Sequence, residues 1–225
     1  MTQPARQDLA EESLAHLLGG KRAALDATLG PVAFGVGYLA TSSIGWGALA
    51  AVVVTAALGI WRLGKGDKPR AVLIGLFGVV LAALVALYTG KAEDFYLIRI
   101  VSNAASFLAF VVSVAIRWPL LGVIVGGLLG QKGAWRHDPD LLKAYSRASL
   151  LWSMQYLVRL VVFIPFWLAG NTAALTLSNI VLTWPLIVLV LAGAWFVIKR
   201  TLPPGHPGLR HPVPAAKRVK VSSTS

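Results

Sequence analysis

The chain has 225 residues, of which 56% are hydrophobic and only 13% are charged, and it contains no cysteine. The absence of cysteine excludes disulfides, thiol catalysis and zinc–thiolate sites, while the long apolar runs exclude an ordinary soluble domain. The formal net charge of +12 could indicate a nucleic-acid partner. The basic residues lie between the apolar runs, however, so the charge indicates membrane orientation instead, and no nucleic-acid partner is expected.

Residues 1–24 are predicted to form a cytoplasmic segment that contains a short interfacial helix. Asp8 can cap a helix over residues 8–18, in which several leucines offer apolar contacts. The acidic residues of this segment argue against a cleavable signal peptide, which has a basic start followed closely by an apolar stretch.

Six apolar segments within a membrane domain of residues 25–198 are long enough to cross a bilayer. They cover residues 25–41, 44–63, 71–89, 95–116, 148–168 and 173–198. Because backbone polar groups in lipid must be satisfied internally, this pattern predicts an all-α, polytopic helical membrane protein.

A shorter apolar segment, residues 118–130, has basic residues on both sides. It is too short to cross comfortably, so we expect an interfacial or re-entrant helix. Gly122, Gly126 and Gly130 recur every four residues, which predicts close packing of this helix on its neighbours.

The lysines and arginines are distributed unevenly among the gaps between these segments. Eighteen of the 21 lie in the N-terminal segment, in two alternate gaps and in the C-terminal tail, whereas the opposite gaps contain only Lys91. Cytoplasmic loops accumulate Lys and Arg, so both termini are predicted to be cytoplasmic and the protein to lie in the plasma membrane. The tail, residues 199–225, is rich in proline and basic residues and is predicted to be disordered. Its charges and those of the basic loops are expected to contact anionic lipids.

Polar residues at the start and in the interior of the predicted spans form the candidate site. Arg99 lies inside the fourth span and Arg159 near the middle of the fifth, where a buried charge needs a partner. Glu93 and Asp94, at the outer mouth of the fourth span, are expected to pair with Arg159, whose long side chain can extend outward. The fourth span has a polar face that comprises Arg99, Ser102, Asn103, Ser106, Phe110 and Ser113. The predicted intramembrane polar cluster comprises Glu93, Asp94, Arg99, Asn103, Arg159, Asn171 and Asn179. Two interpretations stay open: a buried network that fixes helix register, or a site for a substrate or ion.

No span carries a Ser–His or Cys–His pair, and the four histidines are scattered. No catalytic residue, metal site or cofactor is therefore expected, and the protein is predicted not to be an enzyme. His137, Asp138 and Asp140 could suggest metal ligands, but a helix start explains them better. In that interpretation Asp138 is the N-cap and Pro139 is the first helical residue.

Several blocks of the chain resemble a known family. They are "LLGGKRAALDATLGPVAFGVGYL", "GKAEDFYL", "RWPLLG", "WRHDPDLLKAYSRASLLW" and "FWLAGNTAAL…TWPL". They resemble an actinobacterial membrane family known as domain of unknown function thirty-one fifty-nine, over about residues 17–198. The resemblance implies a multi-pass cell-membrane protein with no established activity.

The layout is also similar to that of the intracellular septation protein A family. The similarity lies in the short hairpins, a basic-Pro-Leu step after a span, and a Trp-rich span after a cytoplasmic loop. It implies a role in envelope or division-site assembly, and neither family implies catalytic residues.

Two functions are therefore predicted. The first is a non-enzymatic protein with a structural or envelope-organising role. The alternative is a small transporter or channel with a polar outer-half cavity around Arg159 and Asp94. The expected partners are the lipid bilayer and anionic lipids, with a second copy of the chain or envelope and division proteins as further candidates.

Overall fold

The computed structural model describes residues 20–67, 69–131, 133–203 and residue 209. In these ranges the chain forms helices and turns, with no strand. The α-helices are α1 (Gly20–Thr41), α2 (Ile44–Gly64), α3 (Pro69–Thr89), α4 (Leu97–Ala115), α5 (Leu120–Leu128), α6 (Pro139–Leu168) and α7 (Thr172–Thr201). Short 3-10 helices occupy Ala92–Tyr96 and Ala134–His137. The predicted all-α fold is therefore confirmed.

Among the described residues, five helical segments are long and apolar enough to cross a membrane: Ile44–Gly64, Pro69–Thr89, Ala92–Ala115, Pro139–Leu168 and Thr172–Thr201. The first predicted span corresponds to α1, whose apolar part, Thr28–Thr41, is shorter. The number and length of these segments confirm a polytopic, multi-pass helical membrane protein.

Helix α6 begins nine residues earlier than the span predicted at residues 148–168. Its first turns contain Lys143 and Arg147, which interrupt the apolar pattern without interrupting the helix. Asp138 caps it, because its Oδ1 accepts hydrogen bonds from the amides of Asp140 at 3.1 Å and Leu141 at 3.3 Å. Pro139 is the first helical residue, so the predicted helix start is confirmed.

Among the described residues, one compact unit comprises residues 20–67, 69–99 and 162–184. In it, α1 and α2 form a hairpin in which a Cβ on Gly47 would lie 2.9 Å from the carbonyl oxygen of Phe34. Glycine at this position therefore allows the two helix backbones to approach closely. Phe34, Phe95 and Tyr96 are buried at the centre of this unit.

The second unit comprises, in the described part of the chain, residues 100–131, 133–161 and 185–203 with residue 209. One of its cores contains Leu121, Ala148, Ala194 and Ile198. The other contains Trp135, Leu141 and Tyr145. Leu202 and Leu209 pack against both cores, so at these two positions the C-terminal tail contacts the folded unit.

The short apolar segment forms the nine-residue helix α5, Leu120–Leu128, about 14 Å long at 1.5 Å per residue. Gly122 and Gly126 lie against the indole of Trp135, as the predicted glycine packing requires. Gly130 differs from that prediction. It lies beyond the end of α5 with a φ of 66°, a conformation that glycine adopts readily, and no neighbouring atom lies within 4 Å of where its Cβ would be.

Two further predictions fall largely outside the described residues. The interfacial helix at residues 8–18 lies wholly outside them. The predicted tail of residues 199–225 is described at 199–203 and 209, and its first three residues continue α7.

Candidate functional site

A buried 3-10 turn, Ala92–Tyr96, lies at the centre of the polar residues of the first unit. Gly90, with a φ of 68°, ends α3, and its amide donates to the carbonyl of Ala86 at 3.0 Å. Four of the five residues of the turn are buried. The sequence "AEDFY" therefore places an acidic side chain and two aromatic rings inside the unit, just before α4 begins at Leu97.

Aromatic contacts hold this turn against α1. The rings of Phe34 and Phe95 are stacked, with centroids 3.9 Å apart and planes 11° from parallel. Tyr96 meets both rings edge-on, at 6.3 Å from Phe34 and 5.6 Å from Phe95. The two edge-to-face pairs of Tyr96 stabilise more than area burial alone, by about 0.5–1.5 kcal/mol per pair.

The hydroxyl of Tyr96 joins two other segments through hydrogen bonds. It lies 3.0 Å from the carbonyl oxygen of Pro31 and 2.7 Å from the Oγ1 of Thr176, which in turn lies 2.8 Å from the carbonyl oxygen of Thr172. The two hydroxyls have one proton each for these three contacts. Either Tyr96 donates to Thr176, which donates to Thr172, or Thr176 donates to Tyr96, which donates to Pro31. Both arrangements connect the turn to α7.

The acidic side chains of the turn lie near the connection between α6 and α7. The indole Nε1 of Trp167 donates to Oδ1 of Asp94 at 2.8 Å, and Asp94 is buried. A Cβ on Gly170, whose φ is 65°, would lie 3.5 Å from the Oε1 of Glu93. The buried carboxylate of Asp94 thus has an indole donor, a charge-assisted bond stronger than a neutral one.

A row of buried polar side chains continues this contact along α7. Thr172, Thr176, Asn179 and Thr183 are spaced by four, three and four residues, so they share one helix face. Each is less than 9% exposed. Nη2 of Arg99 donates to Oγ1 of Thr183 at 3.4 Å. We call these four residues together with Tyr96 and Arg99 the polar seam.

Two side chains of the polar seam, Asn179 and Thr172, have buried polar atoms with no hydrogen-bond partner among the described residues. Asn179 is 1% exposed, and its side-chain amide has no hydrogen-bond partner among the described residues. Burying such an amide costs free energy. Thr183 avoids this cost by donating to the carbonyl oxygen of Asn179, one turn earlier. Thr176 avoids it in either of the two arrangements described above.

A cavity of about 340 Å³ lies in the first unit beside the polar seam. Gly75 and Gly78 of α3, Tyr96 and Arg99 are among the residues that line it. A Cβ on Gly75 or on Gly78 would have no neighbouring atom within 4 Å. Larger side chains can therefore be introduced there without a clash at Cβ.

The structure places the residues of the predicted cluster in both units. Glu93, Asp94, Arg99, Asn171 and Asn179 belong to the first unit. Asn171 is exposed, and its Oδ1 accepts from the amide of Ala174 at 2.9 Å, so it is the N-cap of α7.

Asn103 and Arg159 are buried within the second unit, at 5% and 9% exposure. The pairing of Arg159 with Glu93 or Asp94 stays a prediction.

The polar face predicted for the fourth span is buried over part of its length. In the second unit Asn103 and Ser113 are buried, whereas Ser102 is exposed. Oγ of Ser113 donates to the carbonyl oxygen of Phe110 at 2.7 Å and accepts from the amide of Leu120 at 3.1 Å. This serine thus supplies an acceptor to an amide at the start of α5, where the helix has no carbonyl acceptor of its own.

Sequence analysis did not identify five residues of this site: Tyr96, Trp167, Thr172, Thr176 and Thr183. The three threonines could have been identified from the sequence, because they and Asn179 recur every three or four residues and so lie on one helix face. Tyr96 and Trp167 had none, because single aromatic residues are common in membrane spans and at their ends. Within the described ranges, no three His, Cys, Asp or Glu residues come together in a way that could hold a metal ion.

No curated protein and no solved structure is similar to this chain. The family described as "Protein of unknown function (DUF3159)" matches residues 18–205, which is most of the chain and includes every residue of the polar seam. The protein therefore belongs to this family of unknown function.

Proposed function

We propose that this protein is a non-enzymatic integral protein of the plasma membrane with a structural or envelope-organising role. The observation that carries the proposal is the pairing of polar groups around the buried turn. Asp94 bonds to Trp167, and Tyr96 bonds to Thr176 or to Pro31. Polar groups that bond to one another in this way hold helices in register within a bilayer.

The positions of these bonds support a role in helix arrangement. They join residues far apart in the chain: 73 positions separate Asp94 from Trp167, and 80 separate Tyr96 from Thr176. Hydrophobicity does not drive helices together inside lipid, so packing and interhelical hydrogen bonds must do so. A turn that bonds to α1, α6 and α7 is suited to this task.

We place both termini in the cytoplasm, on the basis of the uneven distribution of Lys and Arg. A fluorescent protein fused after Ser225 should then fluoresce, whereas a periplasmic phosphatase inserted at Gly90 should be active. Activity of the phosphatase after Ser225 would refute this orientation. The proposed partners are the bilayer with its anionic lipids, and a second copy of the chain or proteins of the envelope and division site.

A small transporter or channel is the second candidate, and the cavity beside Arg99 favours it. An intramembrane arginine that lines a cavity is a frequent feature of substrate and ion pathways. In this interpretation the transported species occupies the cavity next to Gly78.

Filling the cavity distinguishes the two functions. Gly78→Leu places a large side chain beside Arg99, where a Cβ meets no atom within 4 Å. We expect the variant to reach wild-type abundance in the membrane, and to complement a strain that lacks the protein as well as the wild-type protein does, with cell length and detergent resistance as the readouts. Gly64→Leu, at another open glycine that does not line the cavity, is the control.

The structural role is refuted by the following result. Both variants are as abundant as wild type, and Gly64→Leu complements the strain that lacks the protein, but Gly78→Leu does not. The cavity is then required, as a transporter needs.

A further inference from the structure

We propose that a groove in the second unit binds an anionic glycerophospholipid, with the phosphate on Arg147 and Arg200. The groove lies between α4, α6 and α7 and has a volume of about 850 Å³, within the range of about 300–1,000 Å³ that is typical of small-molecule sites. Its lining is mostly apolar and includes no acidic residue among those described.

The two arginines lie at the same end of the groove. Helices α6 and α7 follow one another through a three-residue connection, and Arg147 near the start of α6 meets the end of α7. Nη1 of Arg147 donates to Oγ1 of Thr201 at 3.4 Å, and Arg200 precedes that threonine. The guanidinium of Arg200 lies 5.9 Å from the ring centroid of Phe196. These contacts restrain both guanidinium groups beside the groove.

The length of the groove along α6 is close to the thickness of the hydrocarbon layer of one membrane leaflet. Along α6 its lining extends from Arg147 through Leu150 and Met154 to Leu157, which is about 15 Å at 1.5 Å per residue. The hydrocarbon core of a bilayer is about 30 Å thick, so one leaflet contributes about half of that. A lipid with its phosphate at Arg147 would therefore have its acyl chains along Leu150 and Met154, both of which are exposed on the protein surface.

Charge selects the class of lipid. Guanidinium groups bind phosphate through paired N–H donors, and basic pockets between membrane helices on the cytoplasmic side bind anionic headgroups. Phosphatidylcholine carries a phosphate too, but its choline cation is repelled by two arginines. If both termini are cytoplasmic, as proposed above, the lipid bound at Arg147 and Arg200 belongs to the cytoplasmic leaflet. The binding itself does not depend on that topology.

Native mass spectrometry of the purified full-length chain tests this inference. The protein in detergent is titrated separately with dioleoyl phosphatidylglycerol and dioleoyl phosphatidylcholine. We expect at least tenfold tighter binding of the first bound phosphatidylglycerol. Arg147→Gln and Arg200→Gln should each weaken that binding about tenfold, because each removes one of the two phosphate donors.

Lys143→Gln is the matched control. Lys143 is exposed one turn before Arg147 on α6 and does not line the groove, so its variant should bind phosphatidylglycerol as wild type does. Equal affinity for the two lipids in the wild-type protein would overturn the inference. An equal loss in Lys143→Gln and Arg147→Gln would also overturn it, since the attraction would then be a diffuse surface charge.

Inorganic phosphate separates a lipid site from a phosphate site. Because the acyl chains contribute to binding, we expect millimolar phosphate to leave the bound phosphatidylglycerol in place. Its displacement by phosphate at that concentration would refute a lipid site. The lipid titrations and the phosphate competition do not depend on which side of the membrane the termini occupy. They therefore test lipid binding even if the proposed topology is wrong.

Discussion

Gly126→Leu is expected to destabilise the protein severely, whereas the same change at the next glycine is expected to be tolerated. A Cβ on Gly126 would lie 2.3 Å from Nε1 of Trp135, and one on Gly122 would lie 2.8 Å from the same indole. Trp135 is 2% exposed and meets Tyr145 edge-on at 5.5 Å, so the ring cannot move aside freely. A leucine at 126 must therefore expel Trp135 from its core.

The size of the effect follows from the tryptophan that is displaced. Loss of a buried Trp side chain typically costs about 3–5 kcal/mol, and we expect a loss of this order for Gly126→Leu. A thermal denaturation series in detergent, followed by size-exclusion chromatography after heating, measures it.

Gly127→Leu is the matched control for this prediction. Gly127 lies on α5 beside Gly126, and a Cβ there meets no atom within 4 Å. Because leucine has a higher helix propensity than glycine, this variant should be as stable as wild type or slightly more stable. The Trp135→Ala background should abolish most of the difference between the two variants. Equal stability of Gly126→Leu and Gly127→Leu would contradict the packing.

Gly35→Ala should destabilise the first unit, although alanine is the better helix former. A Cβ on Gly35 would lie 2.1 Å from Oγ1 and 2.5 Å from Cγ2 of Thr176. Thr176 is buried and joins α7 to Tyr96, so its displacement breaks the hydrogen bonds of the turn as well as the packing. Overpacking typically costs about 1–3 kcal/mol, and we expect a loss at the upper end of that range.

Gly75→Ala introduces the same methyl group where nothing obstructs it. A Cβ on Gly75 of α3 meets no atom within 4 Å, so helix propensity alone applies and a gain of up to about 1 kcal/mol is expected. The two variants should therefore shift the thermal midpoint in opposite directions. Thr176→Ala should recover part of the loss caused by Gly35→Ala, because it removes the two atoms in closest contact. A shift of the same sign in Gly35→Ala and Gly75→Ala would disprove the close approach of α1 and α7.

The variants at Gly35, Gly75 and Gly78 also bear on the proposed function. Gly35 and Thr176 lie where α1 meets the polar seam, so a variant that fails there tests helix arrangement rather than the cavity. Gly75 and Gly78 line the cavity. Stability and cellular function measured together on these variants therefore distinguish a protein that needs its helix register from one that needs its empty volume.

The helices themselves could be predicted from the sequence, because their determinants are local. Apolar runs of about 20 residues predict spanning helices without knowledge of their neighbours. The start of α6 was equally predictable, since Asp138 and Pro139 act within one helical turn. Its apolar part begins later than the helix, because Lys143 and Arg147 lower hydropathy but favour helix formation.

The partners of the buried polar groups were decided by tertiary structure. The glycine spacing of α5 indicated a close contact, but nothing local shows that Trp135 makes it. Likewise, the sequence placed Asp94 in a polar cluster as a candidate partner of Arg159, and only the fold places the indole of Trp167 beside it. The physical reason is that lipid is as apolar as leucine, so apolar residues place a helix in the membrane without choosing its neighbours. That choice depends on glycines and polar side chains on separate helices, whose contacts exist only after the chain has folded.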